Sequence, residues 1–152
     1  YECGYLYRDL KPQNIIIDKE GNAHLIDYGL CIKIEDAHNK DTETVDGSPL
    51  YMPPERIVGM PEGMSGEIYS LGMVMFHALT KSTYYTATGA YEVAKKHVSS
   101  LRMANVGTRL PITVSPRIAE ILDRMIARMP SERYQTYKET AVAIRNVYNS
   151  LK

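Results

Sequence analysis

The first third of the chain is patterned for strands and turns, and the last two thirds for helices. Ile15, Ile16 and Ile17 form a β-branched run, Asp18-Lys19-Glu20-Gly21-Asn22 supplies turn chemistry, and Ala23 to Ile26 is apolar again apart from His24. This predicts a tight β-hairpin. From Cys31 to Asp46 the chain turns polar with neither a period of 2 nor one of 3.6, which predicts a long loop of the kind that tends to carry function. Pro49, Pro53, Pro54, Gly59, Pro61, Gly63 and Gly66 keep the next stretch irregular until a helix begins near Ser65 or Glu67. Residues 67–80 are apolar on nearly every face, so that helix is expected to be enclosed by protein as a central pillar. Helical spacing returns over 90–99, over 116–129 through Ile118, Ile121, Leu122, Met125 and Ile126, and over 137–151 through Ala141, Ile144, Val147, Tyr148 and Leu151. The expectation is one α+β unit, a small hairpin followed by a mostly helical body, without repeat or linker.

Composition narrows the function classes. In 152 residues, 18 Lys plus Arg balance 18 Asp plus Glu, so no global positive field exists to condense on nucleic acid or an anionic membrane. With 44% apolar and 24% charged residues the chain is an ordinary globular one. Two cysteines, Cys3 and Cys31, are too few for a disulfide framework or a four-ligand zinc site, and a reducing, cytoplasmic location is the expectation. No apolar run reaches the ~18 residues of a membrane helix. Tyr1 to Tyr7 lack the pattern of a signal peptide, and the opening on Tyr1 suggests a piece of a longer polypeptide, whose membrane anchor, if it has one, lies outside this segment.

The chemistry is concentrated in Tyr7-Arg8-Asp9-Leu10-Lys11-Pro12-Gln13-Asn14 and, after the hairpin, Asp27-Tyr28-Gly29. Taken singly, Asp9 and Asn14 are turn formers and Arg8 and Lys11 solvated charges. In this order and spacing they resemble the catalytic loop and the magnesium-binding motif of protein kinases, H-R-D-L-x-x-x-N and D-F-G. The resemblance extends over Gly47 to Glu55, similar to the family's substrate-binding segment ending in A-P-E, over Tyr69-Ser70-Leu71-Gly72, similar to its central helix, and to Arg133. The wording is most similar to bacterial, eukaryotic-like serine/threonine kinases, and covers what the family calls the C-terminal lobe. No G-x-G-x-x-G phosphate loop and no V-A-I-K lysine are present, so the N-lobe is expected to be absent, with residues 1–152 forming a partial kinase domain.

The resemblance implies transfer of the γ-phosphoryl group of Mg-ATP to Ser/Thr hydroxyls of protein substrates. Asp9 would orient the acceptor hydroxyl and take its proton, Lys11 would meet the γ-phosphate, and Asn14 and Asp27 would hold Mg²⁺. The hairpin gives an independent reason for Asn14 and Asp27 to converge, because they flank paired strands about 4.8 Å apart. Ile16 matches the floor of the adenine pocket, though a core isoleucine reads the same way. Arg8, preceding Asp9, implies switching by a phosphorylated loop in which Thr42 and Thr44 are candidates beside being ordinary loop residues. Ser48 would contact Asp9 and Lys11, and Glu55 would pair with Arg133.

The departures are local. Tyr7 and Tyr28 replace the usual His and Phe, keeping an aromatic stack beside Gly29 and adding hydroxyls that need partners. Glu67 replaces an Asp that anchors the catalytic-loop backbone, and its extra methylene is expected to shift the carboxylate by about 1.5 Å. The piece alone is expected to be inactive, and the apolar Met73 to Leu79 stretch, lacking a covering helix, to promote self-association. The rival readings are a non-catalytic pseudokinase used as an interaction module and a small-molecule phosphotransferase. Lys11 and the segment from Gly47 to Glu55 argue against the latter.

Overall fold

The computed structural model describes residues 3–38, 47–86, 89–99 and 105–151. Two antiparallel ladders open the chain. Strands β2 (Ile15–Ile17) and β3 (Ala23–Leu25) form the hairpin in the register Ile15 with Leu25, Ile16 with His24 and Ile17 with Ala23. Its turn is closed by Asp18, whose carboxylate accepts from the Asn22 amide at 2.7 Å and faces His24 Nε2 at 2.7 Å. A second ladder joins β1 (Tyr5–Leu6) to β4 (Ile32–Lys33), with Leu6 buried beneath it.

Helix α2 (Met64–Thr80) is the pillar. Ile68, Tyr69, Met73 and Phe76 on it are almost fully buried against α4 (Pro116–Met125), through Ile121, Leu122 and Met125, and against α5 (Tyr137–Ser150), through Val147. Gly72 is what lets α2 and α4 touch, since a Cβ there would lie 2.6 Å from Ile126 Cγ2. The short α1 (Pro54–Ile57) packs on α3 (Ala90–Ser99). Thr136 caps α5 by accepting from the Glu139 amide at 3.0 Å.

Several expectations are corrected. The long loop is not wholly irregular, for it contains β4 and a 3₁₀ turn over Asp36–His38, and the proline-rich stretch contains α1. The helix expected over 116–129 ends at Met125, because Arg133 takes the Ala127 and Arg128 carbonyls at 2.7 and 2.8 Å, and Pro130 has no N–H to continue the ladder. Met73, Val74 and Phe76 are covered rather than bare, by α4 and by Tyr84 and Tyr85, which removes the ground for self-association through that stretch.

Candidate active site

The turn Pro12–Asn14 brings the catalytic-loop residues together. Pro12 supplies the helical φ at the first position, and the Asn14 amide closes the turn on the Lys11 carbonyl at 3.0 Å. The Asn14 side chain thereby comes to lie beneath Asp9, where Nδ2 donates to Asp9 Oδ2 at 2.8 Å and to its backbone carbonyl at 3.0 Å. Lys11 Nζ donates to the same Oδ2 at 2.7 Å. Asp9 and Asn14 are buried, and among the described residues no donor is bonded to Asp9 Oδ1.

Asp27 is placed by the hairpin. The Ile26 amide donates to the Asn14 carbonyl at 3.0 Å, extending the β2–β3 ladder by one pair, so Asn14 and Asp27 lie at one edge. Asp27 adopts φ 63°, and its Oδ1 accepts from the Gly29 amide at 3.1 Å. A left-handed conformation at a non-glycine residue costs of order 1 kcal/mol and is characteristic of functional loops. A Cβ on residue 29 would sit 3.2 Å from that oxygen, close enough that the Asp27 carboxylate would have to shift by a few tenths of an ångström.

The donor set suits Mg²⁺. With Nδ2 committed to Asp9, Asn14 presents its Oδ1, and the exposed Asp27 presents a carboxylate, both hard oxygens. Among the described residues no group of three or more His, Cys, Asp or Glu side chains forms a complete metal cage. Magnesium held by one or two protein oxygens, with water and phosphate filling the other positions, fits such a sparse set.

Around this centre, Tyr7 and Tyr28 meet edge to face with ring centroids 5.7 Å apart. The Tyr7 hydroxyl donates to the Ile26 carbonyl and that of Tyr28 to the Leu25 carbonyl at 2.9 Å, so both added hydroxyls have partners. Burial pushes the Tyr7 phenol upward. Glu67, at the start of α2, reaches the loop despite the expected offset, with Oε1 accepting from the Arg8 amide at 2.9 Å. Burial raises its carboxyl pKa, opposed by the Arg8 and Tyr7 backbone amides. Ile16 is half exposed on the hairpin face.

Glu55 and Arg133 form a bidentate pair at 2.7 and 2.9 Å, fully enclosed, with the guanidinium 4.7 Å from the Tyr69 ring centroid. Its other hydrogens go to the Ser65, Ala127 and Arg128 carbonyls. Ser48 is not joined to the centre: among the described residues neither Asp9 nor Lys11 is bonded to its hydroxyl, and the Lys11 ammonium and the Asn14 amide both go to Asp9 Oδ2. Thr42 and Thr44 lie outside the described residues.

Sequence reasoning missed two residues. Glu62 takes the Arg8 guanidinium, 2.8 Å from Nη2 and 3.4 Å from Nε, and lies 3.7 Å from Arg56 Nε. Arg56 Nη1 in turn donates to the Arg8 backbone carbonyl. Glu62 stands in Pro61-Glu62-Gly63, a run that reads only as loop, and 54 residues separate it from Arg8.

The known proteins to which this chain is similar are protein kinases. The chain is 27% identical over 148 residues to the serine/threonine-protein kinase PknA of Mycobacterium tuberculosis, covering 95% of this chain and 33% of that protein. It is 29% identical over 150 residues to PknB of Mycolicibacterium smegmatis, covering 97% of this chain and 24% of that protein. It is also 30% identical over 144 residues to the atypical protein kinase C of Drosophila melanogaster, covering 93% of this chain and 24% of that one. The chain thus spans a third or less of the length of these relatives. The protein kinase domain family matches residues 1–143, which include the Asp9 loop, the Asp27 turn and the Glu55–Arg133 pair, and the chain belongs to that family.

Proposed function

We propose that these residues belong to the C-terminal lobe of a serine/threonine protein kinase that transfers the γ-phosphoryl group of Mg-ATP to Ser or Thr hydroxyls of protein substrates. The observation that carries the reading is the arrangement around Asp9, with one carboxylate oxygen fixed by Lys11 and Asn14 and the other left to a hydroxyl. Asp9 orients the acceptor oxygen and takes its proton as that oxygen bonds to the γ-phosphorus, the bond from this phosphorus to the β–γ bridging oxygen breaks, and ADP leaves with the bonding electrons. Lys11, a quarter exposed, swings from Asp9 toward the charge on the transferring group. Asn14 Oδ1 and Asp27 would hold the metal, which would supply neutralisation of the triphosphate charge. Tyr7, Tyr28 and Glu67 keep the loop in shape, Ile16 contributes to the adenine pocket, and Ser48 lines the peptide site. Phosphorylation at Thr42 or Thr44 is the proposed mode of control, and the cytoplasm the proposed location. Among the described residues no helix is long and apolar enough to cross a membrane.

The 152 residues carry no glycine-rich phosphate loop, so transfer is expected from the complete protein and not from this piece. In the complete protein, Asp9→Asn should lower kcat by about 10³-fold or more while nucleotide affinity in Mg²⁺ changes little. Asp27→Ala should instead abolish the Mg²⁺ dependence of nucleotide binding. Asp9→Asn with most of its turnover intact would refute the assignment, and a parent that binds no nucleotide would favour the interaction-module reading.

A further inference from the structure

The Arg8, Arg56 and Glu62 cluster lies beside the catalytic loop but has no part in the reaction just described. Arg8 and Glu62 are each 10% exposed and Arg56 4%. Two guanidiniums held this close repel each other, and both the burial of Arg56 and its neighbour Arg8 push its pKa down, whereas Glu62 pushes it back up. Around one point the two arginines are unequal: Arg8 presents its Nε–Nη2 fork, whereas Arg56 brings Nε to 3.7 Å, beyond hydrogen-bond distance, and gives Nη1 to the Arg8 carbonyl, yet their charges converge there on a place suited to an oxyanion. Here that point is filled from within, since the Glu62 carboxylate takes Nε and Nη2 of Arg8 in a two-pronged contact. Its backbone is pinned by the Glu62 amide donating to the Ala37 carbonyl at 3.3 Å, and α2 begins two residues later.

We propose that Glu62 is a resident counter-ion that closes a two-arginine anion site and positions Arg8 without a phosphate. Arg8 adopts φ 69°, a conformation the chain has to impose, and its amide, carbonyl and guanidinium are held by Glu67, Arg56 and Glu62 respectively. Glu62 thus holds the Arg8 side chain in place. A phosphoryl group arriving at Arg8, one on Thr42 or Thr44 included, has to displace a carboxylate already at contact distance, so the control proposed above works through Arg8 only as far as phosphate outcompetes Glu62, and the site responds weakly as long as Glu62 is charged. The inference concerns charge pairing alone, and its failure would leave the kinase reading untouched.

The test uses the purified chain with inorganic phosphate as probe, at constant ionic strength, read by the side-chain ¹⁵N signals of Arg8 and Arg56. In the wild type these signals should stay unmoved through the millimolar range. In Glu62→Gln they should shift saturably, with phosphate bound at least about tenfold more tightly than by the wild type, and phosphate should raise the melting temperature of the variant selectively. Glu62→Asp keeps the charge and draws it back by one methylene, so it should fall between the two. Saturable phosphate binding at Arg8 in the wild type, matching that of either variant, would overturn the proposal. So would a folded Glu62→Gln whose arginines ignore phosphate.

Discussion

At the scale of the residue, His97 is a strongly perturbed group enclosed between α2 and the tyrosines that follow it. It is 1% exposed, its ring packs on Tyr85 and Tyr69, and Nδ1 shares a hydrogen bond with the Tyr69 hydroxyl at 2.6 Å. Nε2 approaches the Pro49 carbonyl too loosely for a hydrogen bond. Burial drives the imidazole pKa down from 6.5 to about 3. Between those values the unfolded chain binds a proton that the folded chain refuses, so stability falls as pH drops below 6.5. From pH 6.5 to pH 5 the loss is about 2 kcal/mol. Urea denaturation at the two pH values should show it in the wild type and not in His97→Gln. The Glu55–Arg133 pair gives a second residue-scale expectation. Glu55→Gln leaves an enclosed guanidinium without its countercharge and should cost about 3–5 kcal/mol in the same measurement.

Among the elements, the contact of α2 with α4 decides the packing of the body. Gly72→Ala improves helix propensity by about 1 kcal/mol. The added methyl would nevertheless meet Ile126 Cγ2 at 2.6 Å and Met125 Cβ at 2.9 Å, and both belong to side chains that are themselves fully buried. Overpacking of this kind costs about 1–3 kcal/mol, so the variant should melt below the wild type. A melting temperature equal or higher would mean that α4 yields without penalty. The helices themselves were legible as elements, α2 because it is apolar on nearly every face and α3 from its local spacing, but the buried face of α5 was not: it runs through Thr140, Ala143, Ile144 and Val147, while Ala141, Tyr148 and Leu151 of the expected stripe are exposed. The end of α4 was not, since Met129 continues the apolar pattern while the carbonyls that stop the helix are claimed by Arg133 from beyond Pro130. Strands β1 and β4, of two residues each, are too short to show a period. The centre at Asp9 was readable because Arg8 to Asn14 is one continuous run. Glu62 was hidden because its partner lies 54 residues away, across a stretch whose prolines and glycines signal only turns.

In the molecule as a whole, the strand-bearing front third and the helical body meet at the catalytic loop through polar contacts. Glu67 holds the Arg8 amide, Arg56 the Arg8 carbonyl and Glu62 the Arg8 side chain, so three residues from the α1–α2 region converge on one residue of the loop. The body behind them is secured separately, by the apolar packing of α2 on α4 and α5 and by the Glu55–Arg133 pair. Two sets of contacts that share few members should open separately, since local unfolding follows contiguous cooperative units. Glu67→Ala removes the acceptor of the Arg8 amide without touching the α2–α4 seam. Hydrogen exchange should therefore accelerate across 5–33, by about tenfold if one buried charge-assisted bond is lost, while amides of α4 and α5 keep their wild-type protection. Equal acceleration in α4 and α5 would show that the two parts unfold as one unit, with Glu67 as a general stabiliser. No acceleration over 5–33 would show that Arg56 and Glu62 suffice to hold the loop.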